Sequence, residues 1–184
     1  MRIGIFGGSF DPPHIGHLAV ASFALALTDV DRLLVIPCYS HAWAKELQPF
    51  AHRQEMCRLA FGDLRRVTVS DLERELHGVS YTIRTVREVL RRWPGSEPSL
   101  IVGADVWRDR HSWRDFDQIT SLARVVVCRR AGWADEEGQL PQPPEVSASE
   151  LRERLRRGAD LAGWVPRRVA DYIREQGLYR EAGP

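Results

Sequence analysis

Short apolar segments alternate with longer, mostly amphipathic segments along the 184-residue chain, and this alternation restricts the fold more than any other feature. The short apolar runs predict five strands, over residues 2–6, 32–37, 67–70, 99–102 and 123–128. Helical spacing and capping residues predict helices over residues 15–27, 50–61, 80–93, 147–157 and 166–177. Strands that alternate with helices predict a single-domain α/β fold, in which helices cover both faces of a mostly parallel sheet.

The charge balance and hydropathy exclude several functional classes. The chain has 26 basic and 25 acidic residues, so a globally basic nucleic-acid-binding protein is not expected. The Arg pairs at 91–92, 129–130 and 156–157 are typical of solvated helix faces and loop ends, because acidic residues are interleaved with them. The mean hydropathy is −0.33 and no long apolar segment occurs, which predicts no membrane span.

The cysteines and the N-terminus indicate a cytoplasmic protein. Cys38, Cys57 and Cys128 are odd in number and lie in apolar segments, which favours reduced thiols over a disulfide framework. The first ten residues include a Gly-Gly pair and lack the features of a signal peptide. No Cys-x-x-Cys pair occurs, so no structural metal site is predicted.

The first predicted strand runs into Gly7-Gly8, and a helix with two histidines follows. Paired glycines let the backbone approach a ligand closely, and the positive end of a helix attracts phosphate. His14 and His17 are three residues apart, so both lie on one face of the first helical turn. The spacing excludes a P-loop and the GxGxxG fingerprint. A plain strand–turn–helix junction and a histidine metal pair remain as alternatives.

Residues 7–17, GGSFDPPHIGH, resemble the signature of the nucleotidylyltransferase superfamily, whose mark is His-x-Gly-His after the first strand. This form of the motif is found in nicotinate or nicotinamide mononucleotide adenylyltransferases and in phosphopantetheine adenylyltransferases. The resemblance implies a Rossmann-like, doubly wound sheet. It implies that His14 and His17 are catalytic and contact the phosphates of ATP. The nucleotide site would be lined by Gly7, Gly8, Ser9 and Phe10.

Residues 146–152 form a second candidate anion site. Ser147 is a good N-cap for the helix that follows, and Glu150 three residues later predicts a capping box. Helix N–H groups, hydroxyls and Arg152 would then meet at one helix end, although a capped surface helix is the simpler interpretation of these residues alone. The superfamily has Ile-Ser-Ser-Thr-x-x-Arg at this place. The resemblance implies that Ser147, Ser149 and Arg152 bind ATP and that Arg152 is catalytic.

Three further segments resemble bacterial nicotinate mononucleotide adenylyltransferases. Residues 80–86 are similar to a Ser-Tyr-Thr-x-x-Thr-Leu segment, residues 100–106 to a strand end Ile-Gly-x-Asp, and Trp113 to a tryptophan that stacks on the pyridine ring. As ordinary structure, the same residues would be a capped helix, a helix N-cap and a packed ring. The resemblance assigns Gly103 and Asp105 to ATP. It assigns the mononucleotide to Ser9, Lys45, Thr82, Thr85, Asp105 and Trp113.

The loop after the second strand departs from the family pattern Pro-x-x-x-Pro-His-Lys. Residues 37–45 read PCYSHAWAK, so the second proline is missing and His41 is not adjacent to Lys45. Lys45 is the only lysine among the 26 basic residues. A flexible ammonium can follow a phosphate as a point charge, and the resemblance implies that Lys45 is catalytic.

The matches extend over nearly the whole chain, so we predict one nucleotidylyltransferase domain over residues 1–179 and a frayed tail over residues 180–184. The resemblance implies an enzyme of NAD biosynthesis that transfers the adenylyl group of ATP to nicotinate mononucleotide. Mg²⁺ is the expected cofactor, held by phosphates and water and not by a dedicated protein site. ATP and the mononucleotide are the expected partners, with no nucleic acid and no membrane, and a monomer or a homo-oligomer fits the sequence equally.

Two alternatives stay open at this point. A same-fold adenylyltransferase could act on nicotinamide mononucleotide or phosphopantetheine, although phosphopantetheine adenylyltransferases lack the Ser-Tyr-Thr and Trp segments. A non-catalytic nucleotide-binding module is the second alternative, and the intact His14, His17, Lys45 and Arg152 argue against it.

Overall fold

The computed structural model describes residues 1–41, 46–130 and 138–180. Within these ranges the strands are β1 (Arg2–Gly8), β2 (Arg32–Pro37), β3 (Val67–Val69), β4 (Glu97–Gly103) and β5 (Arg124–Cys128). The helices are α1 (Ile15–Leu27), α2 (Phe50–Phe61), α3 (Leu72–Leu76), α4 (Thr82–Arg92), α5 (Ala104–Arg108), α6 (Phe116–Leu122), α7 (Ala148–Arg156) and α8 (Arg167–Glu175), with a 3₁₀ turn over Arg110–Ser112.

The strands form one parallel sheet in the order β3-β2-β1-β4-β5. β1 lies at its centre and pairs with β2 on one side and with β4 on the other. The chain therefore builds outward from β1 in one direction and then returns to the other side. At such a switch point the connections leave the two central strands toward opposite faces, which opens a ligand-binding crevice at their carboxyl ends. The topology thus places the crevice after β1 and β4.

Buried side chains form one core on each face of the sheet. Phe6, Leu33 and Val35 pack in the core that includes residues of α1, α2, α7 and α8. Ile5 and Leu34 point to the opposite face and pack in the core that includes residues of α3, α4, α5 and α6. Successive strand residues alternate between faces, and both faces are covered, so the central strands are apolar almost throughout.

The predicted α/β fold with a doubly wound, single-domain sheet is confirmed. The bounds of α1, β2 and α2 agree with those predicted, while β1 continues to Gly8 because its ladder with β2 extends to the Gly8–Pro37 pair. Of the helices α3, α5 and α6, the sequence indicates only α5, as the short helix that Asp105 would cap. They have only 5, 5 and 7 residues, which is too short to show a helical period.

The C-terminal part of the domain packs against the core as far as Tyr179, which is 7% exposed. Residues 181–184, most of the predicted tail, lie outside the described residues. The bounds 1–179 and 180–184 therefore stay a prediction. Across the described ranges, no helix combines the length and the apolar character needed to cross a membrane.

Candidate active site

A cavity of about 630 Å³ opens at the carboxyl ends of β1 and β4, in the crevice that the strand order creates. Its wall includes the loop after β1, the ends of β4 and β5, the first turn of α1 and the N-terminus of α7. Every residue predicted to bind ATP lies in this wall: Gly7, Gly8, Ser9, Phe10, His14, His17, Gly103, Asp105, Ser147, Ser149 and Arg152. The structure therefore brings the two predicted anion sites together, and their contact with ATP stays a prediction.

The two histidines lie at the first turn of α1 with stacked rings. His14 is the N-cap residue with an extended backbone, and its ring centroid is 3.7 Å from that of His17. The backbone N–H of His14 donates to Nδ1 of His17 at 3.2 Å. This bond needs an unprotonated Nδ1, so neutral His17 carries its proton on Nε2. Gly16 keeps the turn compact, because a Cβ there would lie 3.1 Å from the His14 ring and 3.2 Å from the oxygen of Pro144.

Both imidazoles are neutral at pH 7. Burial, assisted by the positive charge of Arg130, lowers the pKa of His14 to about 4. Burial, followed by His14 and Arg130, lowers the pKa of His17 well below its ordinary value. Nδ1 of His14 is buried and has no hydrogen-bond partner among the described residues. Each neutral ring can donate one N–H to an anionic ligand, but neither carries charge in the free protein.

The lowered pKa of His14 predicts that acid destabilises the fold. A base whose pKa is lower in the folded chain than in the unfolded chain stabilises the fold above its unfolded pKa, and this stabilisation is lost as the pH falls. For a shift from 6.5 to about 4, the loss is about 3 kcal/mol between pH 7 and pH 4. Urea unfolding of the wild-type and His14→Asn proteins across this range measures it. The variant should lose less stability by about this amount, whereas parallel curves would contradict a neutral His14.

The guanidinium of Arg152 is held at the cavity by two hydrogen bonds. Its Nη1 donates to the main-chain oxygen of Asp11 at 2.8 Å, and its Nη2 donates to the hydroxyl of Ser149 at 3.0 Å. The side chain is only 17% exposed. These contacts join α7 to the loop after β1 and fix a permanent positive charge in the cavity wall.

The capping box predicted at the start of α7 is wrong. Ser147 is the N-cap residue but makes no side-chain capping hydrogen bond. The carboxylate of Glu150 accepts from Arg154 at 2.9 Å and does not return to the N-cap backbone. An arginine one turn ahead is a better partner for a carboxylate than a neutral N–H group. The first N–H groups of α7 and the Ser147 hydroxyl therefore remain available to a ligand or to water.

A buried polar network joins the site to more distant parts of the fold. The carboxylate of Asp11, 1% exposed, accepts from the hydroxyl of Tyr179 at 2.5 Å and from the backbone N–H of Gln48 at 3.3 Å. Arg53, 2% exposed, donates to the main-chain oxygens of Gln48 at 2.8 Å and Ser9 at 2.9 Å. Sequence reasoning misses these roles. The available signal is the charge of Arg53 beside the buried Met56 and Cys57 positions of α2.

Asp105 lies in the first turn of α5 and forms an ion pair with Arg130, which follows β5. Both residues belong to the cavity wall. The alternative of Asp105 as a helix N-cap is wrong, because Gly103 occupies that position. Arg130 adds a second guanidinium to the cavity, a role that the sequence pattern does not indicate. A ribose contact of Asp105 stays a prediction.

Three residues predicted to bind the mononucleotide are not among the described residues that line the cavity: Thr82, Thr85 and Trp113. The hydroxyl of Thr85 donates to the carboxylate of Glu73 at 3.0 Å. Trp113 is half-buried and packs edge-on against Phe116, with ring centroids 6.2 Å apart. Lys45 lies outside the described residues. The assignment of these side chains to the mononucleotide therefore stays a prediction.

The loop after β2 is hydrogen-bonded to the segment that precedes α4, the helix that carries Thr82 and Thr85. The backbone N–H of Tyr39 donates to the Ser80 hydroxyl at 3.1 Å and to Glu73 at 3.2 Å, and the N–H of Ser80 donates to the oxygen of Ser40 at 2.9 Å. Burial raises the pKa of Glu73, while its hydrogen bonds oppose that change. The loop that leads to Lys45 thus starts beside the predicted mononucleotide residues.

The expected Mg²⁺ stays a prediction. Within residues 1–41, 46–130 and 138–180, no group of three or more His, Cys, Asp or Glu side chains is placed to hold a metal ion. Mg²⁺ commonly keeps several waters and binds through substrate phosphates with few protein ligands. A cavity with helix N-termini and guanidinium groups suits a polyphosphate.

Comparisons with known proteins place the chain in a family. The profile of the cytidylyltransferase-like family matches residues 5–154. A relative from Anaeromyxobacter sp. (strain K), named "Probable nicotinate-nucleotide adenylyltransferase", is 42% identical over 182 residues, which cover 97% of each chain. A relative of the same name from Thermus thermophilus is 41% identical over 186 residues, which cover 98% of this chain and all of the other.

A solved structure has the same fold. It is Plasmodium falciparum nicotinic acid mononucleotide adenylyltransferase complexed with NaAD, which superposes with a TM-score of 0.79 at 20% identity over 97% of each chain. The chain belongs to the cytidylyltransferase-like family and, within it, to the nicotinate-nucleotide adenylyltransferases. The resemblance found in the sequence is thereby confirmed.

Proposed function

We propose that this chain transfers the adenylyl group of ATP to nicotinate mononucleotide, forming deamido-NAD and pyrophosphate in NAD biosynthesis. The observation that carries this proposal is the convergence of two helix N-termini on one cavity: α1 with its stacked histidines, and α7 with Arg152. Oriented N–H groups, neutral N–H donors and a fixed guanidinium around one space suit a polyphosphate. Membership of the family supports nicotinate mononucleotide as the acceptor.

The reaction needs no nucleophile from the protein. An oxygen of the acceptor phosphate, already ionised at neutral pH, forms a bond with the α-phosphorus of ATP as the bond to the bridging β-phosphate oxygen breaks. The electron pair leaves with pyrophosphate, and no covalent enzyme intermediate forms. The protein accelerates this exchange by aligning the two phosphates and by stabilising the negative charge that moves onto pyrophosphate.

The protonation states of the site divide these tasks among its residues. His14 and His17, neutral in the free protein, donate N–H groups to phosphate oxygens, and the Nδ1 contact of His17 directs its Nε2–H for this use. Charge compensation falls to Arg152 and Lys45, because neither imidazole supplies a charge. Mg²⁺, when bound with ATP, withdraws electron density from the phosphates.

The remaining assignments concern the nucleosides. Gly7, Gly8, Ser9 and Phe10 line the ATP site, where a Cβ on Gly8 would lie 3.0 Å from the Phe10 ring. Asp105 takes ribose hydroxyls, which requires it to exchange its partner Arg130 for the ligand. On the acceptor side we assign Ser9, Thr82, Thr85 and Trp113 to the mononucleotide. The reaction takes place in the cytoplasm, which suits the buried thiols Cys57 and Cys128.

A panel of acceptors with Mg²⁺–ATP tests the proposal through release of pyrophosphate. Nicotinate mononucleotide should give the highest kcat/KM, above nicotinamide mononucleotide and phosphopantetheine. A higher value for either competitor would replace the proposed substrate and keep the reaction type. ATP binding without turnover on any of the three acceptors would contradict catalysis and favour a nucleotide-binding module.

The assignment of Trp113 predicts a selective effect on the acceptor. Trp113→Ala should raise KM for nicotinate mononucleotide about 10-fold, because stacking of an aromatic side chain on a base contributes about 1–3 kcal/mol. KM for ATP should change less than about twofold. Steady-state kinetics with each substrate varied in turn measure both constants. Equal increases in the two constants would assign Trp113 to packing against Phe116 instead.

A further inference from the structure

One buried carboxylate in the cavity wall is shared by three parts of the fold. Oδ1 of Asp11 accepts the hydroxyl of Tyr179 at 2.5 Å, and Oδ2 accepts the backbone N–H of Gln48 at 3.3 Å. Oδ2 is also 4.0 Å from Nη1 of Arg152, which donates at 2.8 Å to the main-chain oxygen of the same aspartate. The carboxylate thus faces the guanidinium closely but is not directly hydrogen-bonded to it.

Tyr179 reaches this place from the C-terminal side of α8. Its φ is +64°, a left-handed conformation that residues other than glycine rarely adopt. The preceding N–H of Leu178 donates to the oxygen of Ile173 at 3.0 Å, which closes the end of the helix. Tyr179 is 7% exposed and its ring packs in the core. Its hydroxyl donates to the carboxylate of Asp11. Burial and the adjacent Asp11 raise the pKa of Tyr179, so the hydroxyl stays a donor.

We propose that Tyr179 is a positioning residue for the triphosphate: its hydroxyl holds the Asp11 carboxylate so that Arg152 remains directed to the cavity. The inference rests on the proposed binding of ATP and extends it to a residue 168 positions away from Asp11. Opposite charges 4.0 Å apart in a buried place attract each other strongly. The tyrosine hydroxyl and the Gln48 N–H satisfy the carboxylate without a hydrogen bond from the guanidinium.

Removal of the Tyr179 hydroxyl would leave the Asp11 carboxylate without its short hydrogen bond. A buried carboxylate that loses a short hydrogen bond must find another donor, and the guanidinium of Arg152 is within reach. A direct pair between Asp11 and Arg152 would neutralise the charge that Arg152 offers to phosphate and would turn its N–H groups away from the cavity. A purely structural role of the hydroxyl would instead affect all ligands alike.

Tyr179→Phe tests the inference, because it removes only the hydroxyl. The Kd of Mg²⁺–ATP, measured by calorimetry without an acceptor, should rise about 10-fold, while KM for nicotinate mononucleotide changes less than about twofold. Tyr172→Phe is the matched control. It removes a tyrosine hydroxyl of α8 that bonds to Nδ1 of His52 at 2.9 Å and is not in the described cavity wall, so ATP affinity should stay within about twofold. An unchanged Kd in Tyr179→Phe, or equal losses for both substrates, overturns the positioning role.

Two double variants test the route of the effect. In an Arg152→Ala background, Tyr179→Phe should weaken ATP binding less than about twofold. The same is expected in an Asp11→Asn background, because the amide carries no negative charge that could pair with Arg152. The full 10-fold loss in either background overturns the inference. The Asp11→Asn pair also serves if Tyr179→Phe alone folds poorly in thermal unfolding. If Arg152→Ala itself binds ATP as the wild type does, the proposed role of Arg152 fails; if it binds weakly while Tyr179→Phe is unaffected, the positioning role alone fails.

Discussion

His17→Ala is expected to lower kcat by about 10²–10³-fold while the protein keeps its fold, because removal of one preorganised donor to a developing charge typically has an effect of this size. The Nε2–H of His17 is directed by the bond that Nδ1 accepts from the backbone of His14. The ring lies in the first turn of α1, in the cavity wall, and is not a member of the apolar cluster on that face of the sheet, so its loss leaves the sheet core intact. Pyrophosphate release under saturating substrates measures kcat, and circular dichroism measures the fold.

His52→Ala is the control for this prediction. His52 is a histidine of α2 that bonds to the hydroxyl of Tyr172 at 2.9 Å, and it is not in the described cavity wall. Its removal should leave kcat within about twofold of the wild type. His17→Asn keeps an N–H donor in about the same region and should recover part of the lost rate. Near-normal turnover of His17→Ala would refute the role of His17 in the transition state.

The parts of this site that depend on short spacing can be predicted from the sequence. His14 and His17 share one helical turn, so their common face follows from their separation alone. The meeting of this turn with the N-terminus of α7 is expected only from the superfamily resemblance, because a long connection separates α7 from β5. The α/β alternation predicts this architecture because strand and helix periods differ over segments of sufficient length.

The parts that depend on tertiary partners cannot be predicted in this way. Nothing in the local sequence indicates that Tyr179 meets Asp11 or that Arg130 pairs with Asp105. The capping box predicted at Ser147 does not form, because Glu150 pairs with Arg154 and not with the N-cap backbone. The protonation state of His14 cannot be predicted in this way either, because its pKa falls to about 4 through burial that only the packed fold creates.

Arg152→Ala is expected to lower kcat/KM for ATP about 10²-fold, the second largest effect after that of His17. The side chain supplies a fixed charge between Asp11 and Ser149, whereas the histidines supply none. Arg156→Ala is the matched control, because Arg156 lies in the same helix, pairs with Glu153 at 2.6 Å and is 44% exposed. It should leave kcat/KM for ATP within about twofold.

Arg152→Lys separates charge from geometry. An ammonium keeps the charge but cannot donate at once to the Asp11 oxygen, the Ser149 hydroxyl and a phosphate in the planar arrangement of a guanidinium. If catalysis requires the planar, two-donor geometry of the guanidinium, Arg152→Lys should recover less than about a tenth of the lost kcat/KM. Full recovery would mean that charge alone suffices and that the contacts to Asp11 and Ser149 only hold α7 in place. Wild-type activity in Arg152→Ala would remove Arg152 from the reaction and leave Lys45, Arg130 and Mg²⁺ to compensate the phosphates.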